Sequence, residues 1–168
     1  LGDPLDPDTN LGPLAKMSGA KFVREQINKA ISSGAKGLID QSIYKMDNGE
    51  SNYVSPQVLV NVDHNMSIMK DESFGPVVGI MRVKSDEEAI KLMNDSEFGL
   101  TASIWTSDQE KAIRVGESVD TGTWFMNRCD YLDPELAWTG VKNTGMGCTL
   151  SKLGYEQLTR LKSFHLKS

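Results

Sequence analysis

The stretch Pro76–Asn127, PVVGIMRVKSDEEAIKLMNDSEFGLTASIWTSDQEKAIRVGESVDTGTWFMN, decides the fold class of this chain of 168 residues. Three apolar runs, at Pro76–Val83, Leu100–Thr106 and Thr123–Asn127, have the length and composition of strands. Two segments with helical spacing separate them. This order, with short connections, predicts an α/β fold whose strands are mostly parallel and joined by right-handed crossovers. The runs are apolar on both sides, which is typical of a sheet with helices on both faces.

Both helices of this stretch are predicted to begin at a capping box, in which a serine and a glutamate three positions later satisfy N-terminal N–H groups. Ser85 and Glu88 form the first box, and Ser107 and Glu110 form the second. The apolar residues that follow each box recur at helical spacing. The starts of both helices are therefore predicted from local sequence alone.

The flanking segments continue the alternation of helices and strands. Upstream, the pattern predicts a helix over Ser18–Ser33 that ends at Gly34, and then a strand within Tyr53–Val62. Downstream, it predicts a last helix over about Leu150–Leu161. Apolar and polar residues then alternate over Ser163–Lys167, as in an exposed edge strand.

Charge and composition exclude several classes of protein. The chain has 18 Lys and Arg against 23 Asp and Glu, a net charge of −5, which gives no electrostatic footprint for a nucleic acid. No apolar run reaches the length of a membrane span. Two separated cysteines, Cys129 and Cys148, give neither a disulfide framework nor zinc-ligand spacing. We therefore expect no metal, no nucleic acid, no membrane, and a reducing cytoplasmic setting.

The segment Asp71–Pro76 is the first candidate for a binding site. Glu72 and Phe74 lie two positions apart and precede a Gly-Pro pair. In an extended backbone both side chains would point the same way, which suits a ligand with hydroxyls beside a flat ring. A ribose next to a nicotinamide is such a ligand. A surface acid beside a core phenylalanine explains the same spacing, and spacing alone favours that simpler interpretation.

The order of several short motifs resembles the carboxyl-terminal third of the NAD(P)-dependent aldehyde dehydrogenase superfamily. The resemblance covers essentially the whole chain, and the E-x-F-G-P element is its most specific part. The motifs are Gly2-Asp3-Pro4, Gly12-Pro13-Leu14, Glu72-Ser73-Phe74-Gly75-Pro76-Val77, Phe98-Gly99-Leu100-Thr101-Ala102-Ser103, Gly122-Thr123-Trp124-Phe125-Met126-Asn127, and Gly140-Val141-Lys142 with Gly145.

The resemblance implies an enzyme that oxidises an aldehyde to a carboxylic acid with NAD or NADP. In the family, a cysteine attacks the aldehyde, hydride passes to the nicotinamide, and a glutamate base helps water to release the acid. Glu72 resembles the acid that binds the nicotinamide ribose hydroxyls, and Phe74 the ring beside that ribose. Leu100 resembles a nicotinamide contact. Leu132 and Trp138 lie in the stretch that lines the aldehyde tunnel.

This sequence departs from the family pattern in the tunnel and in what it lacks. Many members have aromatic residues at both tunnel positions, whereas here one is Leu132 and the usual F-G-G is Trp138-Thr139-Gly140. The family's nucleophilic cysteine, its general base and its Rossmann-like domain would all precede Leu1. We therefore expect no catalytic residue in this chain, which begins with Leu rather than Met.

The expected organisation is part of a catalytic domain over residues 1–162 and the start of an oligomerisation strand over 163–168. Three hypotheses follow. The chain is a piece of an aldehyde dehydrogenase, inactive alone, whose partners are a small aldehyde, the rest of the parent chain and further subunits bound through Ser163–Lys167. Alternatively, it is a non-catalytic oligomerisation or partner-binding module. As a third possibility, it is a different enzyme with Cys129 as nucleophile and His64 or His165 as base.

Overall fold

The computed structural model describes residues 1–129 and 131–168, and these residues form two compact units, Leu1–Val83 and Lys84–Ser168. Helices and small sheets alternate in both, so the α/β class is confirmed. The first unit contains α1 (Met17–Ser32), β1 (Lys36–Gly37), a 3-10 turn (Gln41–Ile43), β2 (Gln57–Val60), α2 (Ser67–Lys70) and β3 (Val77–Ile80). The second contains α3 (Asp86–Asn94), β4 (Phe98–Gly99), β5 (Thr101–Ile104), α4 (Gln109–Gly116), β6 (Thr123–Met126), β7 (Trp138–Thr139), β8 (Val141–Lys142), β9 (Cys148–Thr149) and α5 (Ser151–Gln157).

The first unit is built on a three-stranded sheet in the order β1-β2-β3. Strands β2 and β3 run parallel with Gln57 opposite Val77, and β1 pairs antiparallel with β2. Helix α1 buries one face, because its apolar residues recur every three or four positions. The buried members of that face are Ala20, Val23, Ile27 and Ala30, and Leu59 of β2 is also fully buried.

The end of α1 follows the prediction closely. Gly34 has a φ of +105°, a region that glycine enters without steric cost. The N–H of Gly34 donates to the carbonyl of Ile31, and the N–H of Ala35 donates to the carbonyl of Ala30, both at 3.0 Å. These bonds satisfy carbonyls that the last turn would leave without partners. The helix therefore stops because of a local sequence signal.

The second unit contains the parallel connection that its sequence pattern predicts. Strands β5 and β6 pair in parallel, with Thr101 opposite Thr123, and α4 joins them. The indole N–H of Trp124 donates to the carbonyl of Ala112 at 3.0 Å, which ties β6 to α4. A β-carbon on Gly116 would lie 2.5 Å from that same indole nitrogen. A glycine at this position lets helix and strand approach closely.

The two predicted helix starts have different outcomes. The hydroxyl of Ser85 accepts from the N–H of Glu88 at 3.2 Å, as predicted. The carboxylate of Glu88 accepts from the backbone N–H of Lys84. Helix α4, however, is capped by Asp108, which accepts from the N–H of Lys111 at 2.9 Å. The prediction of Ser107 was wrong by one residue. A carboxylate is a charged acceptor, and it is favoured at the positive end of a helix.

The carboxyl-terminal segment differs from its prediction. Helix α5 ends at Gln157 instead of about Leu161, and residues 158–168 belong to no helix or strand. Ser163–Lys167 is therefore not an edge strand here, and Phe164 and Leu166 are largely exposed. A strand exists only where another backbone pairs with it, and among the described residues none does. The boundary at 162/163 and the pairing of this segment with a second subunit stay predictions.

A membrane-spanning role has no support in the helices. Among residues 1–129 and 131–168, no helix has both the length and the apolar character to cross a bilayer.

Candidate functional site

The segment Asp71–Pro76 forms a loop between α2 and β3. Phe74 is 84% exposed and Glu72 is also exposed. The interpretation of Phe74 as a core residue is therefore wrong for this chain. The expected extended backbone is not found at Phe74 either, because its φ is +44°. A bulky residue rarely adopts this left-handed region, and the cost is on the order of 1–3 kcal/mol.

The loop is held from both ends. The N–H of Asp71 donates to the carbonyl of Ser67 at 2.8 Å, and the carbonyl of Pro76 accepts from the N–H of Gln57 at 2.9 Å. A β-carbon on Gly75 would lie 2.6 Å from Cγ2 of Val23, a fully buried residue of α1. The glycine therefore lets the loop sit directly on the helix. Fixed ends and this close approach explain how a strained, exposed phenyl ring is maintained.

Glu72 is available for an external partner. Its carboxylate has no hydrogen bond or ion pair within the part of the chain that the structure describes. A carboxylate accepts hydrogen bonds at two oxygens, so it can bind two adjacent hydroxyls of one ligand. An exposed ring two residues away adds a flat apolar surface. The loop thus carries the groups that a hydroxylated, partly aromatic ligand requires.

A cavity of about 210 Å³ in the second unit is the other candidate. Trp138 lines it, whereas Leu132 of the same stretch does not belong to its lining and is 57% exposed. The assignment of these two residues to an aldehyde tunnel stays a prediction. The lining residues come from β6 and the chain that follows it. They are Thr123, Trp124, Phe125, Met126, Arg128, Tyr131, Asp133, Leu136, Ala137 and Trp138.

Asn127 follows β6 and directly precedes Arg128 of the cavity lining. It has a φ of +56°, and its side-chain amide makes two hydrogen bonds to the backbone of Thr106, at 2.9 Å to the N–H and 2.8 Å to the carbonyl. This pair closes the ends of β5 and β6 onto each other. Arg128 follows immediately, and its guanidinium carbon lies 3.8 Å from the ring centroid of Tyr131.

Sequence reasoning missed Arg128 and Tyr131. Neither belongs to a motif, and the segment after Asn127 has no periodicity that would place its side chains. The spacing of three residues between a cation and an aromatic ring is common and carries little information. Only the tertiary structure shows that the side chains of Arg128 and Tyr131 line one cavity.

Leu100 lies between β4 and β5 and is half-exposed. Its carbonyl accepts from the N–H of Thr123 at 3.0 Å, so its backbone is held against the start of β6. Gly122 precedes that strand, and a β-carbon there would overlap the carbonyl of Thr139. Glycine at this position allows the segment Trp138–Gly140 to cross beside β6. The structure therefore places Leu100, Trp138 and the cavity in the second unit, and Glu72 and Phe74 in the first.

The two cysteines lie in different surroundings. Cys129 is exposed, whereas Cys148 is half-buried and lines a cavity of about 280 Å³ together with Tyr155 and Leu158. Both are free thiols. Within residues 1–129 and 131–168, no group of three His, Cys, Asp or Glu side chains could hold a metal ion.

Comparison with known proteins gives a consistent family. The model of the "Aldehyde dehydrogenase family" matches residues 1–164. An aldehyde dehydrogenase of Paenarthrobacter nicotinovorans is 37% identical over 162 residues, which cover 96% of this chain and 35% of that protein. A succinate semialdehyde dehydrogenase [NAD(P)+] of Escherichia coli is 36% identical, with 97% of this chain and 35% of that protein covered.

Solved structures agree with these sequence matches. A lactaldehyde dehydrogenase superposes with a TM-score of 0.86 at 28% identity, covering 96% of this chain and 33% of that one. An NAD-dependent aldehyde dehydrogenase from Sinorhizobium meliloti has a TM-score of 0.86 at 31% identity, covering 98% of this chain and 32% of that one. This chain therefore spans about a third of the length of these relatives.

Proposed function

Because this chain belongs to the aldehyde dehydrogenase family, we propose that it acts as part of a longer NAD(P)-dependent enzyme that oxidises an aldehyde to a carboxylic acid. In that enzyme this chain binds the nicotinamide ribose and forms part of the aldehyde tunnel. One observation carries the proposal: an exposed carboxylate and an exposed ring, Glu72 and Phe74, lie on a loop held at both ends. The nucleophilic cysteine and the general base are assigned to the rest of the enzyme.

The residues of the loop fit a nicotinamide nucleoside. The carboxylate of Glu72 has no partner among the described residues and can accept from the two ribose hydroxyls. The ring of Phe74 is largely exposed, and its backbone has the left-handed conformation that bulky residues rarely adopt. Strain of this kind at an exposed aromatic residue is characteristic of ligand-binding loops. A bound nucleoside would cover both groups.

The chemistry of the reaction divides between the cofactor and this chain. The oxidised nicotinamide, when bound, supplies the two-electron acceptor for the hydride of the substrate. Glu72 orients the ribose, because hydride transfer requires donor and acceptor carbons within a narrow range of distance and angle. Phe74 excludes water beside the ribose, and a contact between Leu100 and the nicotinamide is a separate part of the proposal. A charge-assisted hydrogen bond at Glu72 contributes about 1.5–3 kcal/mol to this positioning.

Trp138 and its cavity form one wall of the aldehyde tunnel, whereas Leu132 lies outside the cavity lining and is assigned to the tunnel only by the resemblance. The cavity of about 210 Å³ is lined by residues of this chain, and the remaining walls of the tunnel are assigned to the rest of the enzyme. Leucine at position 132 leaves more room than an aromatic ring would, so the tunnel accepts flexible chains more readily than flat rings.

We further propose that the longer enzyme is a homo-oligomer in the cytoplasm, joined through Ser163–Lys167. The segment exposes Phe164 and Leu166, and no backbone N–H of residues 160–168 donates a hydrogen bond within the described chain. Unpaired backbone with alternating apolar side chains favours addition to a strand of another subunit. Two free thiols are consistent with a reducing compartment.

The deciding experiment compares the longer enzyme with this chain alone. The longer enzyme is expected to reduce NAD+ or NADP+ when given small aldehydes, and the isolated chain is expected to be inactive, because it supplies no activated nucleophile. Absence of aldehyde-dependent reduction by the longer enzyme would overturn the proposal. Turnover by the isolated chain that disappears in Cys129→Ala would establish the third hypothesis instead. An inactive longer protein that still assembles through its carboxyl-terminal segment would favour the oligomerisation module.

A further inference from the structure

A cation, Arg128, belongs to the lining of the cavity beside Trp138. Arg128 makes no ion pair and donates no hydrogen bond within residues 1–129 and 131–168. Its guanidinium carbon lies 3.8 Å from the ring centroid of Tyr131. Most of the remaining lining is apolar, including Trp124, Met126 and Leu136. Arg128 itself is exposed, so a ligand can reach its guanidinium from solvent.

The contact with Tyr131 leaves the binding groups of Arg128 free. Stacking occupies the flat face of a guanidinium, while its five N–H donors point outward in the plane. The ring therefore holds the group in one orientation without consuming a donor. An oriented guanidinium edge matches the two oxygens of a carboxylate, which it can bind through two parallel hydrogen bonds. The backbone before it is also fixed, because Asn127 is bonded to Thr106.

The acidic residue of the same lining does not neutralise Arg128. One carboxylate oxygen of Asp133 accepts from the N–H of Glu135 at 2.9 Å, and the carbonyl of Asp133 accepts from the N–H of Leu136 at 3.1 Å. Both hydrogen bonds lie within the turn that Asp133 begins. No ion pair within 4.0 Å joins it to Arg128 among the described side chains. The guanidinium of Arg128 is therefore not occupied by Asp133.

We propose that Arg128 determines substrate specificity by binding a carboxylate at the end of the aldehyde remote from its carbonyl. The inference rests on the proposed function, because the cavity is a substrate site only if the chain forms the aldehyde tunnel. The substrate class is then a short, flexible aldehyde with a terminal carboxylate. The small volume of the cavity and the apolar wall of Trp138 accommodate the methylene groups between the two ends.

The test uses the longer enzyme with two unbranched four-carbon aldehydes, one ending in a carboxylate and the other in a methyl group. Arg128→Gln is expected to lower kcat/KM for the carboxylate substrate by about ten- to a hundredfold, chiefly through KM. The methyl-ended substrate should change by less than about twofold, because it makes no charged contact. Arg128→Lys should recover part of the loss, since it restores the charge without the planar fork.

Arg114→Gln is the matched control, because Arg114 is an exposed cation of α4 outside the cavity. This variant should leave kcat/KM unchanged for both substrates. Two results would overturn the assignment of Arg128 while the proposed function stands. Arg128→Gln could lower kcat/KM equally for both substrates, or it could leave kcat/KM for the carboxylate substrate unchanged. A wild-type enzyme that oxidises neither these nor other aldehydes would overturn the proposed function and this inference together.

Discussion

The guanidinium of Arg24, in the middle of α1, donates to the carboxylate of Asp47 at 2.7 Å across 23 residues of sequence. The same guanidinium donates to the carbonyls of Ser51 and Tyr53, at 2.8 and 2.7 Å. The other oxygen of Asp47 accepts from the N–H of Ser55 at 2.7 Å. This ion pair thus fixes the loop that leads into β2. Strand β2 pairs in turn with β3, which follows the loop Asp71–Pro76.

Asp47→Asn is predicted to lower the free energy of unfolding by about 2 kcal/mol at neutral pH. Burial alone would raise the pKa of Asp47, but hydrogen bonds from Ser55, Arg24 and Gly49 outweigh it and lower the pKa from 3.8 to about 2. A lowered pKa contributes stability above the ordinary value and loses it as pH falls toward the folded value. The difference between wild type and variant should therefore shrink between about pH 4 and pH 2.

Denaturant unfolding at several pH values measures this difference. Glu50→Gln is the control, because Glu50 is an exposed acid of the same loop. It should follow the wild-type curve throughout. A constant gap between wild type and Asp47→Asn down to pH 2 would contradict the prediction, because the stabilisation would then not depend on ionisation of Asp47.

Glu72→Gln in the longer enzyme is predicted to slow hydride transfer by about ten- to a hundredfold, because a hydrogen bond to a charged group contributes about 1.5–3 kcal/mol. Acylation of the catalytic cysteine by a reactive ester should stay nearly unchanged, since that step does not require a placed nicotinamide. Single-turnover hydride transfer, esterase rate and melting temperature are measured in the same variant. Loss of stability and of both activities together would assign Glu72 a structural role, and an unchanged dehydrogenase rate would remove it from the site.

Gly75→Ala is predicted to destabilise the protein by about 1–3 kcal/mol, because a β-carbon would lie 2.6 Å from Cγ2 of the buried Val23. The cost should fall in a Val23→Ala background, where that methyl group is absent. Gly19→Ala is the control, since nothing lies within 4 Å of its β-carbon position in α1. Alanine there should stabilise the helix by about 0.5–1 kcal/mol. Thermal unfolding is measured for Gly75→Ala, Val23→Ala, the double variant and Gly19→Ala. Additive losses of stability from Gly75→Ala and Val23→Ala would contradict the prediction.

Deletion of Ser163–Ser168 from the longer enzyme is predicted to shift its distribution of oligomers toward smaller species. The segment makes no backbone hydrogen bond as a donor within the described chain, so its removal should change the melting temperature of the isolated chain very little. Light scattering and thermal unfolding measure the two effects. Replacing Phe164 and Leu166 with serine at constant length separates apolar contacts from backbone pairing. Identical assembly with and without the segment would exclude this role.

Local signals explain the parts of the fold that could be predicted. The start of α3 at Ser85 and the end of α1 at Gly34 depend on hydrogen bonds between residues three to five positions apart. The parallel β5–β6 pair is also predictable, because a helix connects two strands of matching length. Asp108 rather than Ser107 caps α4, since neighbouring polar residues compete and only the final backbone path selects one.

The candidate site was predictable only as a set of residue types. The motif that contains Glu72 and Phe74 identifies the family from the sequence, yet the exposure and left-handed backbone of Phe74 follow from the contact between Gly75 and Val23. Arg128 and Tyr131 meet through an irregular segment that has no periodicity.

The sequence by itself determined the α/β class, the family, and the helix ends that short-range hydrogen bonds specify. The tertiary structure alone decided which strand pairs with β3 and which loop residues accept hydrogen bonds from Arg24. It also decided that Arg128, Tyr131 and Trp138 line the same cavity. These features depend on contacts between residues far apart in the chain, whose partners are set by packing of the whole unit. For the carboxyl-terminal segment, the proposed partner strand belongs to another subunit, so neither this sequence nor the fold of this chain determines whether it becomes a strand.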